Sequence, residues 1–134
     1  MKNIGIVQWG TKHGHAKGWL EILNNSNSID FKGLYEPDIE RKEYLINSDE
    51  KIWRETIWLD DFEAQLADKD VKIVFIEESN NKSLEVLEKC IENNKNVMLD
   101  KPAGNDFKKF NKLAKIAEEK NLIIELGYMS VSYT

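Results

Sequence analysis

A glycine-containing segment follows the first apolar run of the chain. The run ends before Gly10, and Gly14 precedes an amphipathic stretch. Such a turn lets the backbone approach a pyrophosphate, whose charge then lies at the N-terminus of the next helix. A strict dinucleotide pattern has glycine where Gln8 stands, and the interval to Gly14 is one residue too long, so a plain structural turn is an equal alternative. The candidate cofactor contacts here are Gln8, Trp9, Gly10, Thr11, Gly14 and His15.

A carboxylate follows the second apolar stretch of the chain. Glu36 comes about 20 residues after the glycine turn, at the distance where nucleotide-binding folds place an acid. A carboxylate at this point accepts hydroxyls of an adenosine ribose and repels a 2′-phosphate, which favours NAD over NADP. Glu36 also precedes Pro37 and could be an ordinary turn acid. Together with the glycine turn, it favours dinucleotide binding.

A short polar segment, Asp100-Lys101-Pro102, follows the fifth apolar stretch. A lysine at a strand end, next to a proline with fixed backbone geometry, can direct its ammonium at a substrate or cofactor oxygen. Lys-Pro pairs are also common in surface turns. We therefore add these three residues to the candidate cofactor contacts.

The elements that position these residues alternate between strand and helix patterns. Six strands separated by helices predict an α/β fold with a doubly wound, mostly parallel sheet, in which ligands bind beyond the carboxyl ends of the strands. The β-branched and aromatic run Val71 to Ile76 predicts a central strand. The predicted strands are 4–7, 29–35, 56–58, 71–76, 96–99 and 122–126; helices are predicted after Gly14, at 39–46, from 60 or 61 to 66, at 81–92 and after Asn105 or Asp106, with a charged connector at 51–55.

Length and composition restrict the class of protein. The chain has 134 residues, 41% of them hydrophobic, and a net charge of -5, which predicts one folded domain. Its pI of about 5.1 argues against nucleic acid and membrane-surface partners. Cys90 is the only cysteine, which excludes an intramolecular disulfide and a cysteine-based zinc cluster. Without a signal peptide or membrane span, we expect a cytoplasmic protein.

No metal site is predicted from the two histidines. His13 and His15 flank Gly14, but no third ligand stands beside them in the sequence. His15 is instead expected to begin the first helix.

The stretch Val71 to Pro102 carries a specific resemblance. Its order of hydrophobic strand, loop with Asn80, helix, turn and Asp100-Lys101-Pro102 resembles the N-terminal half of the Gfo/Idh/MocA oxidoreductases, and Gly127-Tyr128 resembles their exit from the nucleotide domain. The resemblance implies a dinucleotide-binding Rossmann domain at 1–127, an exit segment at 128–134 and cofactor contacts at Glu78 and Asn80. It also implies that Lys101 is catalytic.

Family members use NAD or NADP to oxidise or reduce a hydroxyl-bearing carbon of a sugar or cyclitol, with a histidine base from a second domain. That domain is absent from these residues, so by resemblance we expect dinucleotide binding without turnover of a polyol. We also expect a homo-oligomer, because a surface made for the absent domain would favour association.

Two departures from the family pattern affect the predicted site. Gln8 replaces the first glycine, and Glu78-Ser79-Asn80 replaces Thr-Pro-Asn. The carboxylates of Glu77 and Glu78 would repel a diphosphate unless they point away or are paired. Because neighbouring residues of an extended chain face opposite sides, we expect only one of them to face the ligand.

Two alternatives from other functional classes stay open at this point. A response-regulator receiver domain has a similar length, and Asp60 or Asp61, Ser79 and Lys101 approximate its phosphoacceptor, hydroxyl and lysine. A receiver needs an acidic pair after its first strand to hold magnesium, whereas this chain has Gln8, Trp9 and Gly10. The other alternative is a non-catalytic nucleotide-fold domain that binds a partner or senses a ligand.

Overall fold

The computed structural model describes residues 3–78, 80–100 and 107–127 as a sheet with helices on both faces. None of the described helices is both long enough and apolar enough to cross a membrane. The strands are β1 (Ile4–Trp9), β2 (Ile29–Tyr35), β3 (Val71–Ile76), β4 (Asn96–Asp100) and β5 (Ile124–Gly127), and the helices are α1 (Ala16–Asn25), α2 (Ile39–Ile46), α3 (Lys51–Glu55), α4 (Phe62–Ala67), α5 (Asn80–Glu92) and α6 (Phe107–Glu119).

The five strands form one parallel sheet in the order β2-β1-β3-β4-β5. The prediction that Val71–Ile76 is central is confirmed. Alternate side chains of β3 enter different cores: Phe75 packs with Leu23 of α1, whereas Val74 packs with Leu87 of α5 and Leu113 of α6. Burial on both faces explains why β3 lacks the polar alternation of a half-exposed strand.

The predicted sheet of six strands is wrong by one strand. Residues 56–58 form a single parallel bridge between Trp58 and Leu34, with Leu34 N–H donating to Ile57 O at 2.8 Å and Leu59 N–H donating to Leu34 O at 2.8 Å. A strand has no room to extend, because α3 ends at Glu55 and Asp61 caps α4. The bridge lies outside β2, where the Rossmann order 3-2-1-4-5-6 places its third strand.

The expected connector at 51–55 is also wrong, because it forms helix α3. Its sequence is short and charged, and the helix is stabilised by tertiary packing rather than by propensity. Trp53 is buried against Leu20, Leu34 and Leu45. The aromatic residue thus fixes a helix where local charge predicted an irregular segment.

One glycine in β1 is required by close backbone packing. A Cβ atom on Gly5 would lie 2.1 Å from the carbonyl oxygen of Asp70, just before β3. Backbone cannot yield as a flexible side chain does, so the two strands would have to separate. By contrast, a Cβ atom on Gly14 would meet no atom within 4 Å, and its backbone does not adopt a positive φ.

Gly5→Ala is therefore expected to lower the free energy of unfolding by at least about 2 kcal/mol, the scale of core overpacking. Gly14→Ala is the matched control and should change it by less than about 1 kcal/mol. Urea denaturation followed by circular dichroism measures both. Equal effects of the two substitutions would contradict the packing argument.

Candidate functional site

The turn after β1 is held against the ends of its two neighbouring strands. Gly10 has φ +93°, and its N–H donates to Tyr35 O at 2.7 Å. His13 N–H donates to Glu77 O at 3.0 Å. A Cβ atom on Gly10 would lie 3.0 Å from Glu78 Cβ and 3.1 Å from Glu77 O, so both conformation and space require glycine. Gly14 meets neither requirement, which makes Gly10 the glycine on which this turn depends.

Gln8 fills the space beneath this turn. Its side chain is fully buried, and Nε2 donates to Gly10 O and to Ala16 O, each at 3.2 Å. The amide thereby joins the turn to the first residue of α1. Gln8 Oε1 is buried and has no hydrogen-bond donor among the described residues. Where the dinucleotide pattern leaves open space with glycine, this chain has a bracing side chain; direct contact of Gln8 with a cofactor stays a prediction.

Glu36 belongs to a network that links the turn to β2 and α2. Thr11 Oγ1 donates to Glu36 Oε1 at 2.5 Å, and Asp38 N–H donates to Glu36 Oε2 at 2.9 Å. Arg41 donates from Nε to Thr11 Oγ1 and from a terminal nitrogen to Thr11 O, both at 3.2 Å. Only 4% of Glu36 is exposed. The structure thus brings the candidate residues Thr11 and Glu36 into contact and adds Arg41; their contacts with a cofactor stay predictions.

A cavity of about 430 Å³ opens beside the turn, and we call it the Trp9 cavity. Trp9 packs edge-on against Phe62, with ring centroids 6.3 Å apart. The charged Lys12 lies at the rim, where its bond to Asp38 at 2.9 Å raises its pKa. The lining residues are Trp9, Lys12, Pro37, Asp38, Phe62, Glu78, Lys82, Glu85, Val86 and Lys89.

The two histidines and two buried carboxyls form a second group at the same sheet edge, which we call the histidine–carboxylate cluster: His13, His15, Glu77 and Asp100. His15 Nδ1 lies 3.2 Å from Asp100 Oδ1, and His13 Nδ1 lies 3.6 Å from Asp100 Oδ2. Trp19 Nε1 donates to Asp100 Oδ2 at 3.2 Å and orients that carboxylate. One ligand atom each of His13, His15 and Asp100 lie within 4.8 Å of one another, a spacing that could hold a metal ion.

The third potential ligand, Asp100, stands 85 residues after His15, so the sequence around the histidines does not reveal it. It reaches them from β4, which is separated from β1 by β3 in the sheet. The signal that could have found it is the rule that carboxyl ends of parallel strands meet at one edge. Applied to Asp100, that rule predicts its approach to the turn after β1.

Glu77 has the most perturbed environment in the cluster. Its side chain is fully buried, and no hydrogen-bond donor among the described residues reaches either oxygen. Burial, together with the adjacent Asp100 carboxyl, raises the pKa of Glu77 to about 10. Glu77 therefore carries a proton at neutral pH. Glu78 instead lines the Trp9 cavity, so the two adjacent acids occupy different environments.

Several predicted site residues lie outside the described part of the chain: Ser79, Lys101, Pro102 and the segment 128–134. Asn80 begins α5. The aspartates considered as phosphoacceptors are described. Asp61 accepts from Ala64 N–H at 3.1 Å as the N-cap of α4, and Asp60 pairs with Lys42 at 3.4 Å. The N-cap bond accounts for Asp61 without signalling chemistry.

The sequence matches the model of the Gfo/Idh/MocA oxidoreductase family, NAD-binding Rossmann fold, over residues 2–128. The chain belongs to this family. The match confirms the resemblance and the Rossmann class, and it identifies an NAD-binding oxidoreductase-family domain. A comparison with curated proteins returned no match.

Solved structures of several proteins share this Gfo/Idh/MocA domain's fold. An NAD-binding protein from Listeria innocua superposes with a TM-score of 0.76 at 19% identity, covering 94% of this chain and 34% of its own. The dehydrogenase MviM from Clostridium difficile superposes with a TM-score of 0.76 at 23% identity, and the match covers 94% of this chain and 39% of MviM. Biliverdin reductase from Synechocystis sp. PCC 6803 was solved with biliverdin and NADP+. It superposes with a TM-score of 0.78 at 15% identity, and the match covers 96% of this chain and 39% of the reductase. The chain thus spans 34% to 39% of the length of these proteins.

The proton on Glu77 predicts a pH-dependent stability. In the unfolded chain this carboxyl ionises near 4.5, whereas in the folded protein it stays protonated up to about 10. Between these two pH values, unfolding releases the proton of Glu77. The Glu77 carboxyl therefore makes the free energy of unfolding fall as pH rises. Glu77→Gln cannot release that proton. Relative to the wild type, its free energy of unfolding should gain up to about 1.4 kcal/mol per pH unit between roughly pH 6 and 9.

Urea denaturation in EDTA at a series of pH values measures this difference. Glu63→Gln, an exposed glutamate on α4, is the matched control and should follow the wild-type profile. Parallel profiles for wild type and Glu77→Gln would show that Glu77 is ionised in the folded protein.

Proposed function

We propose that this domain holds the adenosine half of a dinucleotide in the Trp9 cavity, with the diphosphate over the Gly10 turn. The observation that carries the proposal is the position of the cavity. Trp9 at the end of β1, Pro37 after β2 and Glu78 after β3 all line it, at the edge where α/β sheets bind ligands. Its volume of about 430 Å³ lies within the range of ordinary ligand sites.

The walls of the cavity suit an adenosine group. Trp9, Phe62 and Val86 provide apolar surface for a planar base, and the rim is charged. Lys12 provides a cation beside the turn, and the N-terminus of α1 provides a favourable dipole for phosphate. The carboxylate of Glu78 repels a bound phosphate, and the nearby ammonium of Lys12 reduces that repulsion.

We propose that NAD binds better than NADP. An ionised carboxylate has about four lone-pair positions, and the contacts from Thr11 and Asp38 use two of those on Glu36. The remaining positions can accept ribose hydroxyls once Thr11 and Arg41 shift to expose the carboxylate. A 2′-phosphate would meet the charge of Glu36, although Arg41 provides some attraction for it. The biliverdin reductase relative was solved with NADP+.

We propose further that the reaction, hydride transfer at a hydroxyl-bearing carbon of a sugar or cyclitol, requires a second domain. The chain spans 34% to 39% of its structural relatives, and a lone nucleotide domain has no wall to position a substrate. These residues by themselves should not turn over a polyol. Lys101 as a catalytic lysine, a cytoplasmic location and a homo-oligomer remain predictions.

The cofactor preference is tested by calorimetric titration with NAD and with NADP. The wild type should bind NAD more tightly. Glu36→Gln keeps the shape but removes the charge, so NAD affinity should fall about tenfold while the discrimination against NADP narrows. A thermal melt checks that the variant is folded. An unchanged ratio of the two affinities would exclude Glu36 as the discriminating residue.

The location of the adenosine site is tested by placing a large side chain in the Trp9 cavity. Glu85 is an exposed α5 residue that lines the cavity, so Glu85→Trp should abolish detectable NAD binding without disturbing the core. Glu88→Trp is the matched control, because Glu88 is exposed on the same helix and does not line the cavity. Equal NAD affinity in both variants would show that the adenosine binds outside the Trp9 cavity.

A further inference from the structure

The histidine–carboxylate cluster shares no residue with the Trp9 cavity, and the proposed adenosine site does not account for it. It brings two imidazoles and two buried carboxyls together from the turn after β1, the end of β3 and the end of β4. Cysteine apart, these are the side chains that bind transition metals in proteins.

The spacing of these groups is that of ligands around one small ion. With metal–ligand bonds of about 2.0 to 2.2 Å, neighbouring ligand atoms of a tetrahedron lie roughly 3.3 to 3.6 Å apart. The cluster shows 3.2 Å for His15 with Asp100, 3.6 Å for His13 with Asp100 and 3.9 Å for His13 with Glu77. One ligand atom each of His13, His15 and Asp100 lie within 4.8 Å of one another, and Glu77 adjoins this group through His13.

Glu77 is an independent indication of a ligand. It is fully buried, its oxygens lack a hydrogen-bond donor among the described residues, and Oε1 faces His13. Burying the Glu77 carboxyl without a hydrogen-bond partner is costly. A divalent cation would take the place of the proton that Glu77 carries at neutral pH and would bind Glu77 together with Asp100.

We propose that His13, His15, Glu77 and Asp100 form a binding site for a divalent transition-metal ion of the zinc class. Two imidazole nitrogens favour such an ion over magnesium or calcium, which prefer oxygen ligands. Trp19, which donates to Asp100, orients that ligand in the way that outer partners support metal sites. Cys90 is buried between α5 and the sheet, so it does not compete for the ion.

Binding exchanges existing contacts for metal bonds. His15 N–H donates to His13 Nδ1 at 3.0 Å, and His15 Nδ1 lies 3.2 Å from Asp100 Oδ1. The His13 ring must rotate to give its lone pair to an ion, which releases the His15 amide. That amide is therefore a local reporter of binding.

The test titrates the EDTA-treated, dialysed domain with Co²⁺ and with Zn²⁺. We expect one ion per chain, visible d–d absorption of four-coordinate Co²⁺ that Zn²⁺ abolishes, and a shift of the His15 amide resonance in a nitrogen–proton NMR spectrum. Because the chain contains only two histidines, imidazole ligation can come from no other residue. His15→Ala, at a partly exposed position, should weaken Zn²⁺ binding at least about tenfold and abolish the Co²⁺ absorption.

Asp60→Asn, a surface carboxylate with 93% of its side chain exposed, is the matched control and should bind both ions as the wild type does. Glu77→Gln should weaken binding while the circular dichroism spectrum stays unchanged. Absence of saturable Co²⁺ or Zn²⁺ binding, or an equal affinity in His15→Ala, would overturn the proposal. Glu85→Trp separates the two sites, because it should lose NAD binding and keep the metal.

Discussion

The close approach of three strand ends at Gly10 is the constraint on which both sites depend. Gly10 donates to the end of β2, His13 donates to the end of β3, and no side chain fits between Gly10 and Glu78. This packing sets the turn directly over the sheet edge. The Trp9 cavity and the histidine–carboxylate cluster both adjoin this turn, and each receives side chains that are far apart in the sequence.

Much of the fold follows from local patterns, and the failures have physical causes. The predicted bounds of β3 and α2 agree with the observed ones, and the buried run of β3 is a local signal of a strand covered on both faces. The predictions at 51–58 were wrong for two separate reasons. Trp58 forms only a single bridge where a strand was predicted. Trp53 stabilises a helix where a connector was predicted, because it packs against Leu20 and Leu45, which are distant in the sequence. Neither contact can be read from neighbouring residues.

The sequence predicted those parts of the candidate site in which a residue's own backbone preference sets the local conformation. The positive φ of Gly10 fits the expected glycine turn, whereas the Thr11–Glu36 contact joins two residues that the sequence suggested only as separate cofactor contacts. The bracing role of Gln8 was not predictable, since it depends on carbonyls of Gly10 and Ala16 that face inward. The opposite surroundings of Glu77 and Glu78 followed from alternation, whereas the meeting of Glu77 with Asp100 required the order of the strands in the sheet.

The single bridge at Trp58 also affects how copies of the chain can associate. Within β2, the register against β1 slips beside Gly33, whose φ is +145°, and Lys32 forms an ion pair with Asp30 at 2.7 Å. Irregular backbone and paired charge are features by which natural sheets discourage pairing with another strand. Edge-to-edge growth of the sheet into a continuous β-ribbon is therefore disfavoured on this side, and molecules that meet there must do so through side chains.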